Sequence, residues 1–299
     1  MADLIATAEL GRRFGQVEAF RSVSLCVPEG SAVGLIGANG AGKSTLLRVL
    51  VNLLTPTSGQ ASVMGVDSRT LGASVFTRLG YLAAGQTLPQ VQTLGDVLAW
   101  CRPFYPTWDA DLAARLLHVL ALDARQALRT ASRGTRLKAH VVATLAFRPP
   151  LLLLDEPLEG LDPLTRDQVV DALLDLMGQE GTTVLLASHD LDVLERLLDR
   201  VAFLQHGTLL FNEALEDLQR RYRRVDIVHP TIGGAARQDL ELLRPLDIVQ
   251  DAGRTQFVAS TYIEHETERL LRERWPDAAI TVTPLSLREL FVAHARGHA

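Results

Sequence analysis

Cysteine is nearly absent from this 299-residue sequence: Cys26 and Cys101 are the two, far apart and in no metal-binding or disulfide spacing. That excludes a disulfide framework and points to a reducing compartment. Long apolar runs are missing as well. The best tract, around residues 141–154, is broken by Arg148, Pro149 and Pro150, short of the roughly 18 to 20 apolar residues a bilayer-crossing helix needs. There is no basic surplus either. The formal net charge is -5, which gives no electrostatic reason to expect a nucleic-acid partner. The N-terminus, MADLIATAELGRRF, has no basic stretch followed by a sustained apolar core, so no secretory leader is expected. Neither internal repeats nor low-complexity tracts occur. The expectation is a soluble chain whose membrane contact passes through a partner.

What is present is globular material, with 47% hydrophobic and 22% charged residues. The length leaves room for one large domain and a small one. Residues 4–27 carry short, partly alternating apolar runs, the pattern of antiparallel strands. Residues 31–36 (SAVGLI) read as a buried parallel strand. After Gly42 the apolar spacing becomes helical through Leu46, Leu47, Val49, Leu50 and Leu53. Residues 93–147 read as a helical insert. Then come a buried strand at 151–154, a helix at 164–177, a strand at 183–187 and a helix at 191–198, an alternation that implies a parallel sheet with right-handed crossovers. The texture shifts near Arg220, where RRYRR closes a polar helix. Beyond it, a strand pair around 247–259, a helix at 264–275 and a last helix at 285–295 suggest a small α+β domain. The domains are expected at 1–222 and 223–299.

Residues 37–45, GANGAGKST, fit GxxxxGK[ST] in the strand–loop–helix context that the pattern requires. Gly37, Gly40 and Gly42 let the loop turn successive backbone N–H groups toward one centre, with Asn39 and Ala41 between them. Those donors, the positive end of the following helix and the Lys43 ammonium suit the β- and γ-phosphates of a nucleotide. The Ser44 hydroxyl, with Thr45 beside it, suits Mg²⁺. The competing reading is a structural glycine turn that happens to precede a helix, but chance seldom supplies the strand and the helix as well.

A phosphate loop alone fits kinases, GTPases, helicases and transport ATPases. Residues 151–157, LLLLDEP, are an apolar strand that delivers two adjacent carboxylates to its C-terminal edge, where open α/β sheets bind ligands. Asp155 is placed to hold Mg²⁺ through water, and Glu156 to polarise an attacking water as general base. Alone, this could be a strand ending in a solvated acidic turn; with the loop upstream, that reading loses ground.

With these two motifs in place the chain resembles the ATP-binding subunits of ABC transporters over roughly residues 4–212. ASRGT (131–135) occupies the place of the LSGGQ signature, 23 positions from Ser132 to Asp155. EGLD (159–162) looks like the D-loop, with Asp162 at its end. His189 in LLASHD matches the switch histidine, and Gln86 in YLAAGQ matches the Q-loop glutamine that reaches the metal. Phe14 in RRFGQ sits where the family places an adenine-stacking aromatic. A lone histidine, glutamine or aromatic would more often be core or loop; order and spacing make the set specific. The signature departs from consensus at Ala131, Arg133 and Thr135, while Ser132 and Gly134, which in the family approach the γ-phosphate held by the opposite subunit, are kept. Arg133 puts the rate and tightness of closure in question. ASRGT and RPFYPTWD (102–109) also resemble ATPases of bacterial operons that export antibiotics or peptides.

The resemblance implies an α/β fold: a P-loop ABC-type ATPase core with an antiparallel β subdomain and a helical insert, followed by the small α+β domain. It implies an ATP-hydrolysing, Mg²⁺-dependent subunit that forms a head-to-tail homo- or heterodimer, works with a separate membrane permease, with export as the expected direction, and sits at the inner face of the cell membrane. Phe14, the residues of the phosphate loop, Ser132, Gly134 and Asp162 would bind ATP; Lys43, Gln86, Glu156 and His189 would act in catalysis; Ser44, Gln86 and Asp155 would hold the metal. Trp100, Phe104, Tyr105 and Trp108 place four of the chain's 16 aromatics within nine residues, which would suit a permease helix or the core of the helical insert. Two other readings stay open. A cytosolic ABC ATPase acting on DNA or ribosomes would usually carry two cassettes or a long coiled-coil insert, whereas only 112 positions separate Lys43 from Asp155. A regulatory subunit that binds ATP without turnover is opposed by Glu156 and His189 and kept alive by Arg133.

Overall fold

Three five-residue strands without an exposed position set the frame: β4 (Ala32–Ile36), β8 (Leu151–Asp155) and β9 (Thr183–Ala187) are buried from end to end. Strands this apolar must be covered on both faces, which is the condition of central strands in a parallel sheet. The computed structural model describes residues 2–83, 86, 91–229, 240–251 and 253–297. In it, β7 (Leu79–Leu82), β10 (Arg200–Gln205) and β11 (Thr208–Ala214) complete a sheet of order β11-β10-β4-β9-β8-β7. Its pairings β10·β4, β4·β9, β8·β9 and β7·β8 are all parallel. The register sets Asp155 opposite Ala187. The last residues of β8 and β9 therefore lie side by side, although 32 positions separate them.

The alternating N-terminal segment forms a second, antiparallel sheet from β1 (Asp3–Phe14), β2 (Val17–Val23), β3 (Cys26–Pro28), β5 (Ser58–Val63) and β6 (Val66–Asp67). Helix α1 (Lys43–Leu50) follows β4 directly and buries Leu46, Leu47, Val49 and Leu50. After the short α2 (Ala73–Phe76), the expected insert contains α3 (Leu94–Cys101), α4 (Ala110–Val119) and α5 (Arg133–Leu145). Each starts where a side chain can satisfy first-turn N–H groups: Thr93 and Asp96 form a capping box, Asp109 accepts from Leu112, and Ser132 from Thr135. Helix α6 (Pro163–Glu180) begins with Pro163 at its first turn and ends at Gly181 with φ 64°, a starter and a stopper in their favoured places.

Helix α7 (Leu191–Leu194) is one turn, shorter than the 191–198 that the apolar spacing suggests. The chain is drawn back early. Asp199 accepts from the Ala32 N–H through its carboxylate and donates its own N–H to the Ala32 carbonyl, so the residues before β10 must return to the edge of β4.

Two units separate between Asn212 and Glu213, ten positions before the expected boundary at 222. Tyr222 belongs to the second unit: its hydroxyl meets the His294 ring nitrogen at 3.1 Å. That unit holds α8 (Leu215–Arg221), β12 (Arg223–Val228), β13 (Leu246–Asp251), β14 (Arg254–Ala259), α9 (Glu264–Arg274), β15 (Ala279–Pro284) and α10 (Leu287–Gly297). Its antiparallel sheet runs β13-β14-β12-β15, with Val225, Ile227, Phe257 and Leu271 in its core.

Candidate functional site

Helix α1 differs from α3, α4, α5 and α6 at its start. Its cap is Gly42, with φ 105°, no side-chain acceptor and no acidic residue in the first turn. The N–H groups of that turn are left for an anion. Two contacts explain the glycines. A Cβ on Gly37 would lie 2.2 Å from the Leu204 carbonyl oxygen, and one on Gly42 would lie 2.6 Å from that of Ala19. The loop is threaded between backbones at both ends. Asn39 and Gly40 are exposed at its crest, Ala41 is buried and Thr45 half-buried.

Lys43 is buried, and its ammonium donates to the carbonyls of Gly37 at 2.6 Å and Ala38 at 3.2 Å. It curls over its own loop. Burial lowers its pKa, while the negative charges of Glu156 and Asp155 pull it back up. The Ser44 hydroxyl donates to Asp155 Oδ1 at 2.8 Å. Asp155 is 1% exposed, and its Oδ2 is buried without a hydrogen-bond partner. Burial raises its pKa, and so does Glu156; the Ser44 bond and the charges of Arg48 and Lys43 work against this. An orphaned, desolvated carboxylate oxygen beside a hydroxyl is what a hard, oxygen-seeking divalent cation would relieve. Among the described residues there is no group of three or more His, Cys, Asp or Glu side chains that could hold a metal ion.

Glu156 follows β8 with φ 50°, an uncommon backbone for a side-chain-bearing residue. Its N–H donates to the Ala187 carbonyl at 2.8 Å. Its carboxylate accepts from the Ser188 hydroxyl at 2.9 Å and lies 3.0 Å from His189 Nδ1. The structure thus brings Gly37, Lys43, Ser44, Asp155, Glu156 and His189 to the C-terminal ends of β4, β8 and β9. Ser188 was not singled out by sequence reasoning. A serine before a histidine is no signal by itself; the parallel register is what puts it beside Glu156.

Other expected residues lie elsewhere or are engaged locally. Gln86 turns back, its amide oxygen accepting from the Ala83 N–H, and its carbonyl meets His140 Nε2 at 3.1 Å; the structure does not bring its side chain onto Ser44 and Asp155. Phe14 ends β1 at 45% exposure, with the Arg12 guanidinium 4.5 Å from its ring centroid. Ser132 caps α5, and Asp162 caps α6 by accepting from the Thr165 N–H and hydroxyl; those bonds hold the Asp162 pKa down. Arg133 reaches Glu159 at 3.4 Å, and a Cβ on Gly134 would lie 3.6 Å from the Gly160 carbonyl oxygen. Arg133 and Gly134 therefore lie beside Glu159 and Gly160.

A family profile described as "ABC transporter" matches residues 20–159. The ATP-binding protein NatA of Bacillus subtilis is 31% identical over 75% of this chain and 95% of its own length. The chain belongs to the ATP-binding proteins of the ABC transporter family, and it is an ATPase of that family. YtrB of Bacillus subtilis, also named an ABC transporter ATP-binding protein, is 26% identical over 98% of this chain and 99% of its length. A solved structure of an ATP-binding subunit of an ABC transporter superposes with a TM-score of 0.66 at 26% identity, over 73% of this chain and 92% of that one. Relatives named for daunorubicin/doxorubicin resistance and for methionine import match as well. Among the described residues of this ATPase, no helix is long and apolar enough to cross a membrane.

Proposed function

We propose that this ATPase drives transport by a separate membrane permease, as one of two cassettes in a head-to-tail dimer at the inner face of the membrane. The observation that carries the reading is a division within one chain. Lys43, Ser44, Asp155, Glu156 and His189 gather around the phosphate loop, while Ser132 caps α5 beside Arg133 and Gly134, which face Glu159 and Gly160; this second surface suits the loop of a second copy. In this reading the first-turn N–H groups of α1 and Lys43 grip the β- and γ-phosphates, and Phe14 stacks on the adenine. Ser44 and Asp155 would hold Mg²⁺, with Gln86 joining them through its side-chain amide; the ion would supply charge neutralisation for the phosphates. Glu156 takes the proton of the attacking water, and His189 orders the γ-phosphate. Asp162 acts from beside the signature. Hydrolysis removes the phosphate that joins the two halves, and the dimer opens.

Trp100 and Phe104 support a docking role in the insert. They are 53% and 56% exposed, with ring centroids 5.1 Å apart, whereas Tyr105 is stacked on Phe147. An exposed aromatic pair suits an apolar helix of a permease. Export is the direction assigned, on the resemblance of residues 102–109 and 131–135 to exporter ATPases. The relatives' names point both ways, so vesicle transport with the co-purified permease decides between export and import.

The test of the ATPase reading is Glu156→Gln in the full chain. Turnover should fall at least a hundredfold while MgATP binding is kept, and the protein should become a dimer holding two nucleotides. A variant that binds MgATP at saturation yet stays monomeric would overturn the proposed arrangement.

A further inference from the structure

The carboxylate of Glu156 is held from behind by a chain of hydrogen bonds that reaches the loop at residues 159–162. Arg166, on α6, donates through Nε to the Leu161 carbonyl at 3.0 Å and through Nη1 to Asp190 Oδ2 at 2.6 Å. The Asp190 N–H donates to Ser188 Oγ at 3.1 Å, and Ser188 donates to Glu156 Oε2 at 2.9 Å. The direction of the last bond is set by the others. A hydroxyl has one proton. With the Ser188 oxygen accepting from Asp190 and a carboxylate 2.9 Å away, the proton goes to Glu156. Ser188 is 1% exposed, so water does not compete for it.

We propose that Ser188, backed by Asp190 and Arg166, is a positioning residue that fixes the Glu156 carboxylate and ties its placement to the loop at residues 159–162. The inference rests on the reading of Glu156 as the general base. Three observations converge on it. Glu156 has φ 50°, a conformation that persists only when the surroundings over-determine it. Two of its determinants, the Ala187 carbonyl and the Ser188 hydroxyl, are consecutive residues at the end of β9. The Arg166–Asp190 pair is a charge-assisted bond between side chains only 33% and 24% exposed, in the range where geometry is held better than at the open surface. The Leu161 carbonyl is the outer end of this chain. A shift of residues 159–162 on contact with a second copy would be passed through Arg166 and Asp190 to the hydroxyl that holds Glu156. Closure of two cassettes would then set the base as well as seal the nucleotide.

The experiment compares Ser188→Ala, Asp190→Asn and Arg166→Ala in the full chain, measuring kcat, the equilibrium binding of MgATP and the thermal midpoint, alone and combined with Glu156→Gln. Wild-type turnover and its loss in Glu156→Gln stand as the check on the underlying reading. Given these, Ser188→Ala should lower kcat about tenfold, the size expected for one lost hydrogen bond to a charged group, with MgATP affinity within about twofold of wild type. Arg166→Ala and Asp190→Asn should lower kcat in the same direction and less. In the Glu156→Gln background, Ser188→Ala should cost nothing further in residual turnover. The proposal is overturned if Ser188→Ala and Asp190→Asn both turn over at the wild-type rate. It is also overturned if affinity falls in step with kcat, or if Ser188→Ala costs as much in the Glu156→Gln background as in wild type. Should Ser188→Ala fail to fold, Asp190→Asn, which keeps volume and backbone N–H, carries the same decision.

Discussion

Gly42→Ala is the most searching change to the phosphate loop, because the structure separates its two costs. At φ 105° any side-chain-bearing residue is strained by about 1–2 kcal/mol. The new methyl also meets the Ala19 carbonyl oxygen at 2.6 Å and Phe20 Cβ at 3.3 Å, backbone and core that give way only at an overpacking cost of about 1–3 kcal/mol. The sum, about 2–5 kcal/mol, corresponds to a fall in the melting midpoint of roughly 10 °C for a unit of this size. Gly40→Ala is the internal control: φ is 81°, but nothing lies within 4 Å of the added carbon. Only the strain remains, and the midpoint should fall by about half as much. Because Gly42 also starts α1, its substitution turns the first-turn N–H groups and should abolish MgATP binding at concentrations that saturate the wild type. Differential scanning fluorimetry with and without MgATP reads both effects. Equal losses for the two alanines, or a Gly42→Ala protein that melts and binds like wild type, would refute this account of the loop.

Two more outcomes concern the metal carboxylate and the insert. The pKa of Asp155 is raised by burial, and the carboxylate must be ionised to hold the metal. Its intrinsic contribution to stability without ligand is therefore present below the unfolded-state value of about 3.9 and lost as pH rises through the raised folded value, whereas metal binding strengthens over the same rise. The thermal shift given by MgATP should grow from acidic to neutral pH, and Asp155→Asn should flatten that growth; a wild-type shift independent of pH would contradict it. Trp100→Ala with Phe104→Ala should leave ATP hydrolysis by the isolated chain near the wild-type rate and reduce co-purification of the membrane partner in detergent at least fivefold. Unchanged recovery of the partner would remove this pair from the docking surface.

The parts of the site that are contiguous in sequence could be read from it. GANGAGKST follows β4 directly and runs into α1, LLLLDE is β8 with the residue after it, and β4, β8 and α1 appear where their apolar spacing puts them. What depends on register could not be read. Ser188 reaches Glu156 because β8 and β9 pair in parallel with Asp155 opposite Ala187, and no local pattern announces that. Gln86 shows the same limit from the other side: its place in the sequence matches a metal ligand, yet its amide oxygen accepts from the Ala83 N–H. Helix α7 stops early because of a distant carboxylate, Asp199, on the Ala32 backbone. In the sequence Arg133 is a departure from the signature; in the structure it pairs with Glu159, an interaction between two segments that meet only in the fold.

Mixing two inactive variants decides whether each nucleotide is gripped by one chain and sealed by another. Lys43→Ala damages the loop and leaves the signature whole; Ser132→Ala combined with Gly134→Val damages the signature and leaves the loop whole. In a head-to-tail dimer the mixture contains pairs with one site intact, so ATPase activity should return on mixing, rise with the fraction of mixed dimer and be absent from each variant alone. If mixing restores nothing while the two proteins are shown to associate, loop and signature act within a single chain and the account is wrong.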